Sequence, residues 1–187
     1  QAVPNKTLTL PFGLDPGDRY GESVATASRF IAVGIPGRDE NRGEVVIWER
    51  TGNRTGTGDY VFRTALTGPP GPALPPASRF GGAVSLREWS DGSVLLMVGA
   101  RGDDEFGAQS GSVHFFRWQP GNAASEWDFL GTSYAPEPEI GAQFGFSVAA
   151  GDAGGVAGAP FQNTFIEVKG KKPTLLNNAG AAANLVP

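Results

Sequence analysis

The 187-residue chain carries few side chains able to do chemistry: one His, no Cys, and 19 acids against 15 Lys and Arg. Without Cys, thiolate nucleophiles, thiolate metal sites and disulfides are excluded. His114 sits in "SVHFFRW". No Ser, Asp or metal-ligand set is assigned to it by the sequence, so a structural or surface-facing His is expected and no catalytic residue is named. The acids gather in two short loops, Asp39 and Glu40 in "GRDENRG" and Asp103, Asp104 and Glu105 in "GDDEFG". Carboxylates on loops carried by a rigid scaffold suit partner binding better than proton transfer, so these five residues are the expected binding surface. Arg101, Gly102 and Asp103 spell the adhesion tripeptide RGD. Three residues are weak evidence, and the match between the two acidic loops favours an ordinary rim. Trp48, Trp89, Trp118 and Trp127 are candidates for sugar stacking, but Trp48 and Trp118 fall at matching positions and read as packing groups. Asn5 in "NKT" and Asn53 in "NRT" are glycosylation sequons, usable only on a secretory route.

The elements that must position these groups show themselves as repeats. Aromatic-Gly pairs place Gly at 21, 81 and 145, with spacings 81 − 21 = 60 and 145 − 81 = 64. A second landmark places Gly at 34, 99 and 158, spaced 65 and 59. Two landmarks thus agree on a unit of about sixty residues, longer than the 40–50 of common propeller repeats. Within each unit "SVA" or "AVS" is small on both faces, and "FIAVGI", "VLLMVGA" and "VVIW" are continuous apolar runs. Small inner strands and doubly covered middle strands fit a wedge of radiating sheets. The strands before each aromatic-Gly run into Pro-rich turns, and Pro restricts them to sheet edges. The 28 Gly and 15 Pro oppose long helices. The expected fold is all-β and β-propeller-like, with about three four-stranded blades. The repeats cover residues 1–168, at approximately 7–52, 60–118 and 127–168, and 169–187 reads as a low-complexity tail.

The stretches "YGESVA…IAVGIPG…GEVVIW", "FGGAVS…LMVGA…GSVHFF" and "FGFSVA…VAGAP" resemble the FG-GAP repeat of integrin α-subunit β-propellers. The second copy departs at Arg101, where the pattern has Pro. The resemblance implies a non-enzymatic module for protein or glycan binding or adhesion, in an extracellular or secretory setting. Several family members hold calcium in an Asp-rich loop before the Gly-Ala-Pro strand. Here the equivalent stretches offer no carboxylate in the first copy, Glu88 and Asp91 in the second, and Asp152 in the third. That is too few for a site needing six to eight oxygens, so neither metal nor cofactor is expected.

A net charge of −4 leaves no electrostatic footprint for nucleic acid, and "KGKK" at 169–172 is too short to create one. No apolar run is long enough for a membrane-spanning helix. Closed propellers use about four to eight blades, so three form an incomplete ring. If each bare end exposes on the order of 500 Å² of apolar surface, its burial is worth roughly 10 kcal/mol. Packing against further blades or other subunits is therefore expected, with "KTLTL" adding to another chain's sheet. A structural subunit of a larger assembly and, more weakly, an accessory domain of a hydrolase remain alternative readings.

Overall fold

A computed structural model describes residues 7–52, 59–166 and 174–186. Sheet one contains β1 (Val24–Ala27), β2 (Phe30–Ile35), β3 (Glu44–Thr51) and β4 (Asp59–Leu66), paired antiparallel in that order. Sheet two repeats the design with β5 (Phe80–Glu88), β6 (Val94–Ala100), β7 (Ser112–Trp118) and β8 (Asp128–Ser133). The third unit begins with β9 (Ser147–Gly151) and β10 (Gly154–Ala159), followed by a separate hairpin of β11 (Thr164–Ile166) and β12 (Thr174–Leu176). β13 (Ala181–Leu185) then completes a three-stranded sheet in the order β9-β10-β13. The protein is thus all-β in open antiparallel sheets. Its sole α assignment is the four-residue turn α1 (Arg38–Asn41) among the described residues.

Burial follows strand order. β6 is buried at every residue and β2 at all but one, whereas the outer strand β4 alternates between exposed and half-buried. Three apolar clusters lie between and beyond the sheets. The first joins Phe30, Ala32, Val45 and Ile47 of sheet one to Phe80, Leu96, Val98 and Trp118 of sheet two. The second joins Leu95, Met97, Val113 and Phe115 to Ala157, Ala159 and Leu185 of sheet three. The third lies on the other face of sheet one, where Val33, Ile35, Val46 and Trp48 meet Leu8, Leu10, Phe12 and Tyr20. Sheets one, two and three are therefore stacked face to face in chain order, and the middle strands of sheets one and two are covered on both sides.

Three features differ from the sequence reading. The repeats at 7–52, 60–118 and 127–168 are offset by one strand from the sheets, because β4 and β8 pair with the strands just before them, β3 and β7. Antiparallel pairing keeps each of these strands with its own sheet, and the Pro-bearing stretches 67–79 and 134–146 carry the chain onward. The third unit has three strands plus a hairpin in place of four strands. "TFI" and "TLL" pair with each other, and the 181–185 segment of the supposed tail pairs with β10, from Gly155↔Leu185 to Ala159↔Ala181. Ala and Asn have low strand propensity, so packing against sheet two makes this a strand where local preference does not. Finally, residues 7–10 form no strand, and Leu8 and Leu10 lie on the outer face of sheet one. The Tyr20 hydroxyl donates to the Leu8 carbonyl at 3.2 Å.

Candidate functional site

Antiparallel order divides the connections between two sides of the stack. The β2–β3 and β6–β7 loops and the crossings between sheets emerge on one side, while the β1–β2, β5–β6 and β7–β8 turns emerge on the other. The two acidic loops therefore share a face. Each is held by backbone bonds to the approach of the next aromatic-Gly pair. Ala77 N–H donates to Glu40 O, Arg79 N–H to Asn41 O and Phe80 N–H to Arg42 O, at 2.8–3.0 Å. One unit later, Gly141, Gln143 and Phe144 N–H donate to the carbonyls of Ala108, Gln109 and Ser110. Parallel bridges Gly43↔Phe80 and Gly111↔Phe144 finish the ties.

The acids within these loops have different fates. Asp39 and Glu40 project outward, their side chains 70% and 69% exposed, each ion-paired with Arg42. Their backbone is left-handed, with φ of 49° and 57°, followed by Asn41 at 62°. Three consecutive non-Gly residues in this region are unfavourable by roughly 1–2 kcal/mol each. The ties to 77, 79 and 80 hold the loop there, presenting both carboxylates to solvent. Asp104 and Glu105 are exposed as well, although Asp104 Oδ1 accepts Gln109 N–H at 2.7 Å.

Asp103 is turned inward and is 4% exposed. Its Oδ2 accepts Ser112 Oγ–H at 2.5 Å and its Oδ1 accepts Glu105 N–H at 3.0 Å. Ser112 Oγ lies 3.0 Å from His114 Nε2, and Thr132 Oγ1 lies 2.9 Å from His114 Nδ1. The fold thus supplies His114 with the Ser and Asp that sequence alone did not assign to it. This Asp-Ser-His set is sealed: Ser112 is 0% and His114 1% exposed, and the Phe80 ring packs on the imidazole at 5.3 Å. Burial lowers the His114 pKa from 6.5 to about 4, against the opposing pull of Asp103. A neutral imidazole locked behind Phe80 has no route to a substrate.

Arg101 is also committed internally. Its guanidinium pairs with Glu22 at 3.1 Å and lies 5.2 Å above the Phe146 ring. One side chain of the second unit thereby links the aromatic-Gly regions of the first and third. With Arg101 and Asp103 both engaged, the RGD segment is not displayed as an extended ligand.

Aromatic groups that sequence reasoning missed join the loop face. Phe106, 55% exposed, packs edge-on against Tyr134 with centroids 4.6 Å apart. Burial and the neighbouring Asp103 and Glu105 raise the Tyr134 phenol pKa. Phe146 and Phe161, both exposed, form a second edge-on pair near Arg101. The signal was present in the Phe ending "GDDEFG", but pairing with a residue 28 positions later is set by tertiary structure alone.

The opposite face holds a cleft of about 480 Å³ lined by Arg29, Glu49, Glu88 and Trp118 among others. Arg29 stacks 4.7 Å from Trp118, and Glu49 is paired with both Arg29 and Arg63. The stretches that carry calcium in the resembled family lie here. Asp91 is hydrogen-bonded by Ser93, which lowers its pKa, and Asp152 pairs with Arg87. Among the described residues, no three His, Asp or Glu side chains converge on a common point. Trp48 and Trp118 are each 4% exposed inside the apolar clusters. Asn5 and Asn53 lie outside the described residues. No described helix is long and apolar enough to cross a membrane.

Compared with known proteins, the chain matches no family model and no curated sequence.

Proposed function

We propose that this protein is a non-enzymatic interaction module, an FG-GAP-like propeller segment that binds a protein or glycan partner through its loop face. One observation carries the reading. Asp39, Glu40, Asp104 and Glu105 stand exposed on the face that also displays Phe106 and Tyr134. Acids beside exposed aromatics on backbone-braced loops form a pre-organised surface for a partner bearing cationic and apolar groups. The Arg101 link from unit one to unit three supports a radial arrangement, because it requires the inner ends of non-adjacent sheets to converge. An extracellular or secretory setting belongs to the same proposal.

The test is binding of the chain to immobilised Lys/Arg-rich, aromatic-containing peptides and to a glycan panel. Substituting Asp39, Glu40, Asp104 and Glu105 together by Lys is expected to lower peptide affinity at least tenfold with little change in Tm. Added salt weakens the wild-type interaction, since exposed charges are screened beyond about 8–10 Å. Binding that survives the fourfold substitution unchanged overturns the loop-face assignment. A structural subunit is the second reading, favoured by the bare outer face of sheet three, where Val156 is 45% exposed.

A further inference from the structure

The sheets of this protein join through a repeated backbone contact. At the first junction a Cβ on Gly34 would overlap the Gly81 carbonyl oxygen, and Ser23 Oγ–H donates to that same oxygen at 2.7 Å. At the second, a Cβ on Gly99 would overlap the Gly145 carbonyl. Each middle-strand Gly therefore forms a seat for the Gly of the next aromatic-Gly pair. Both seated glycines are left-handed, with φ of 84° and 81°.

Among the described residues there are three such seats, at Gly34, Gly99 and Gly158, and three residues suited to fill them, Gly21, Gly81 and Gly145. Two of each are used. The spare seat is fully formed: Ser147 stands beside Gly158 as Ser23 stands beside Gly34, and a Cβ on Gly158 would meet only the Ser147 side chain. The spare filler is formed as well. Gly21 has φ of 89°, its N–H donates to Gly34 O as Gly145 N–H donates to Gly158 O, and its Cβ position is open.

The edges are complementary too. Among the described residues sheet three has three strands where sheets one and two have four, with β13 at its edge. The 7–12 segment pairs in no sheet of its own chain. Leu8, Leu10 and Phe12 join the cluster on sheet one as Leu66 and Leu74, from the stretch leading to Phe80, join the cluster between sheets one and two.

We infer that the outer face of sheet three, centred on Gly158, Ser147 and Val156, receives sheet one of a second copy of this chain. Gly21 of the partner copy seats on Gly158, and its 7–12 segment moves outward to pair with β13. That movement uncovers Val33, Ile35, Val46 and Trp48 to meet the arriving face of small residues, Ala149, Val156 and Ala182. The contact is heterologous, and two such contacts close six sheets into a ring, within the four to eight that propellers use. The inference rests on the propeller-like stacking in the proposed function but is independent of what the loop face binds.

Sedimentation analysis of the whole chain tests it. The expected species is a dimer of about 39 kDa, twice the 19.5 kDa of one chain. Val156→Arg and Gly158→Ala are each expected to weaken dimerisation at least tenfold while circular dichroism stays unchanged. Val61→Arg, at a 40% exposed position on β4, should leave the dimer intact. A folded wild-type chain that sediments as a monomer overturns the inference, as does a dimer indifferent to both sheet-three substitutions. Peptide binding to the loop face is read separately, so failure of one proposal is distinguishable from failure of the other.

Discussion

At the scale of single residues, the most consequential group is one with no route to a substrate. His114 is held neutral, its pKa lowered from 6.5 to about 4 by burial. In the unfolded chain it titrates near 6.5. Above that pH both states are neutral and the full stability is present. As pH falls from 6.5 towards 4, the unfolded chain takes up a proton that the folded protein refuses, so stability drops by about 3 kcal/mol over the window. Urea unfolding at stepped pH should show this loss beginning above the range where carboxylates protonate, and His114→Asn should flatten it. An unchanged slope in the variant would place the acid sensitivity elsewhere. Asp103 belongs to the same network and could not be assigned from sequence. "GDDEFG" offers three acids of equal standing, and only the fold turns one towards Ser112 and leaves the next two in solvent.

At the scale of elements, the aromatic-Gly and middle-strand glycines act as matched backbone surfaces. Gly99→Ala drives a methyl group into the Gly145 carbonyl oxygen, a backbone atom, and should cost roughly 1–3 kcal/mol. Gly158→Ala meets only the rotatable Ser147 hydroxyl and should change monomer stability by less than about 1 kcal/mol. Thermal unfolding of the two variants side by side checks the contrast, and equal losses would remove the distinction between filled and empty seats. These strands were legible in sequence because "FIAVGI" and "VLLMVGA" are apolar on both faces. The ownership of β4 and β8 was not. Pairing with the previous or the following sheet leaves the same local pattern, and hairpin proximity decides between them. β13 was illegible for a different reason: "AAANL" has no apolar alternation, and it becomes a strand because its small side chains fit between β10 and the second cluster.

For the whole molecule, stacking sheets in chain order leaves two outer faces with unequal fates. The N-terminal segment covers one, and sheet three leaves Val156 in solvent on the other. An assembly that buries both faces should raise Tm with protein concentration, since mass action stabilises whatever binds only the folded state. Calorimetry across a hundredfold concentration range is expected to show a rising midpoint for the wild type and a constant one for Val156→Arg. A constant wild-type midpoint would speak against association. The sequence alone determined the all-β class, the sixty-residue period and the order of small edge strands beside apolar middle strands, because strand periodicity and glycine spacing are local properties of the chain. Tertiary structure alone decided which acids face solvent, which strand pairs at each sheet edge and which glycines meet across the sheets, because those outcomes depend on contacts between residues far apart in the chain.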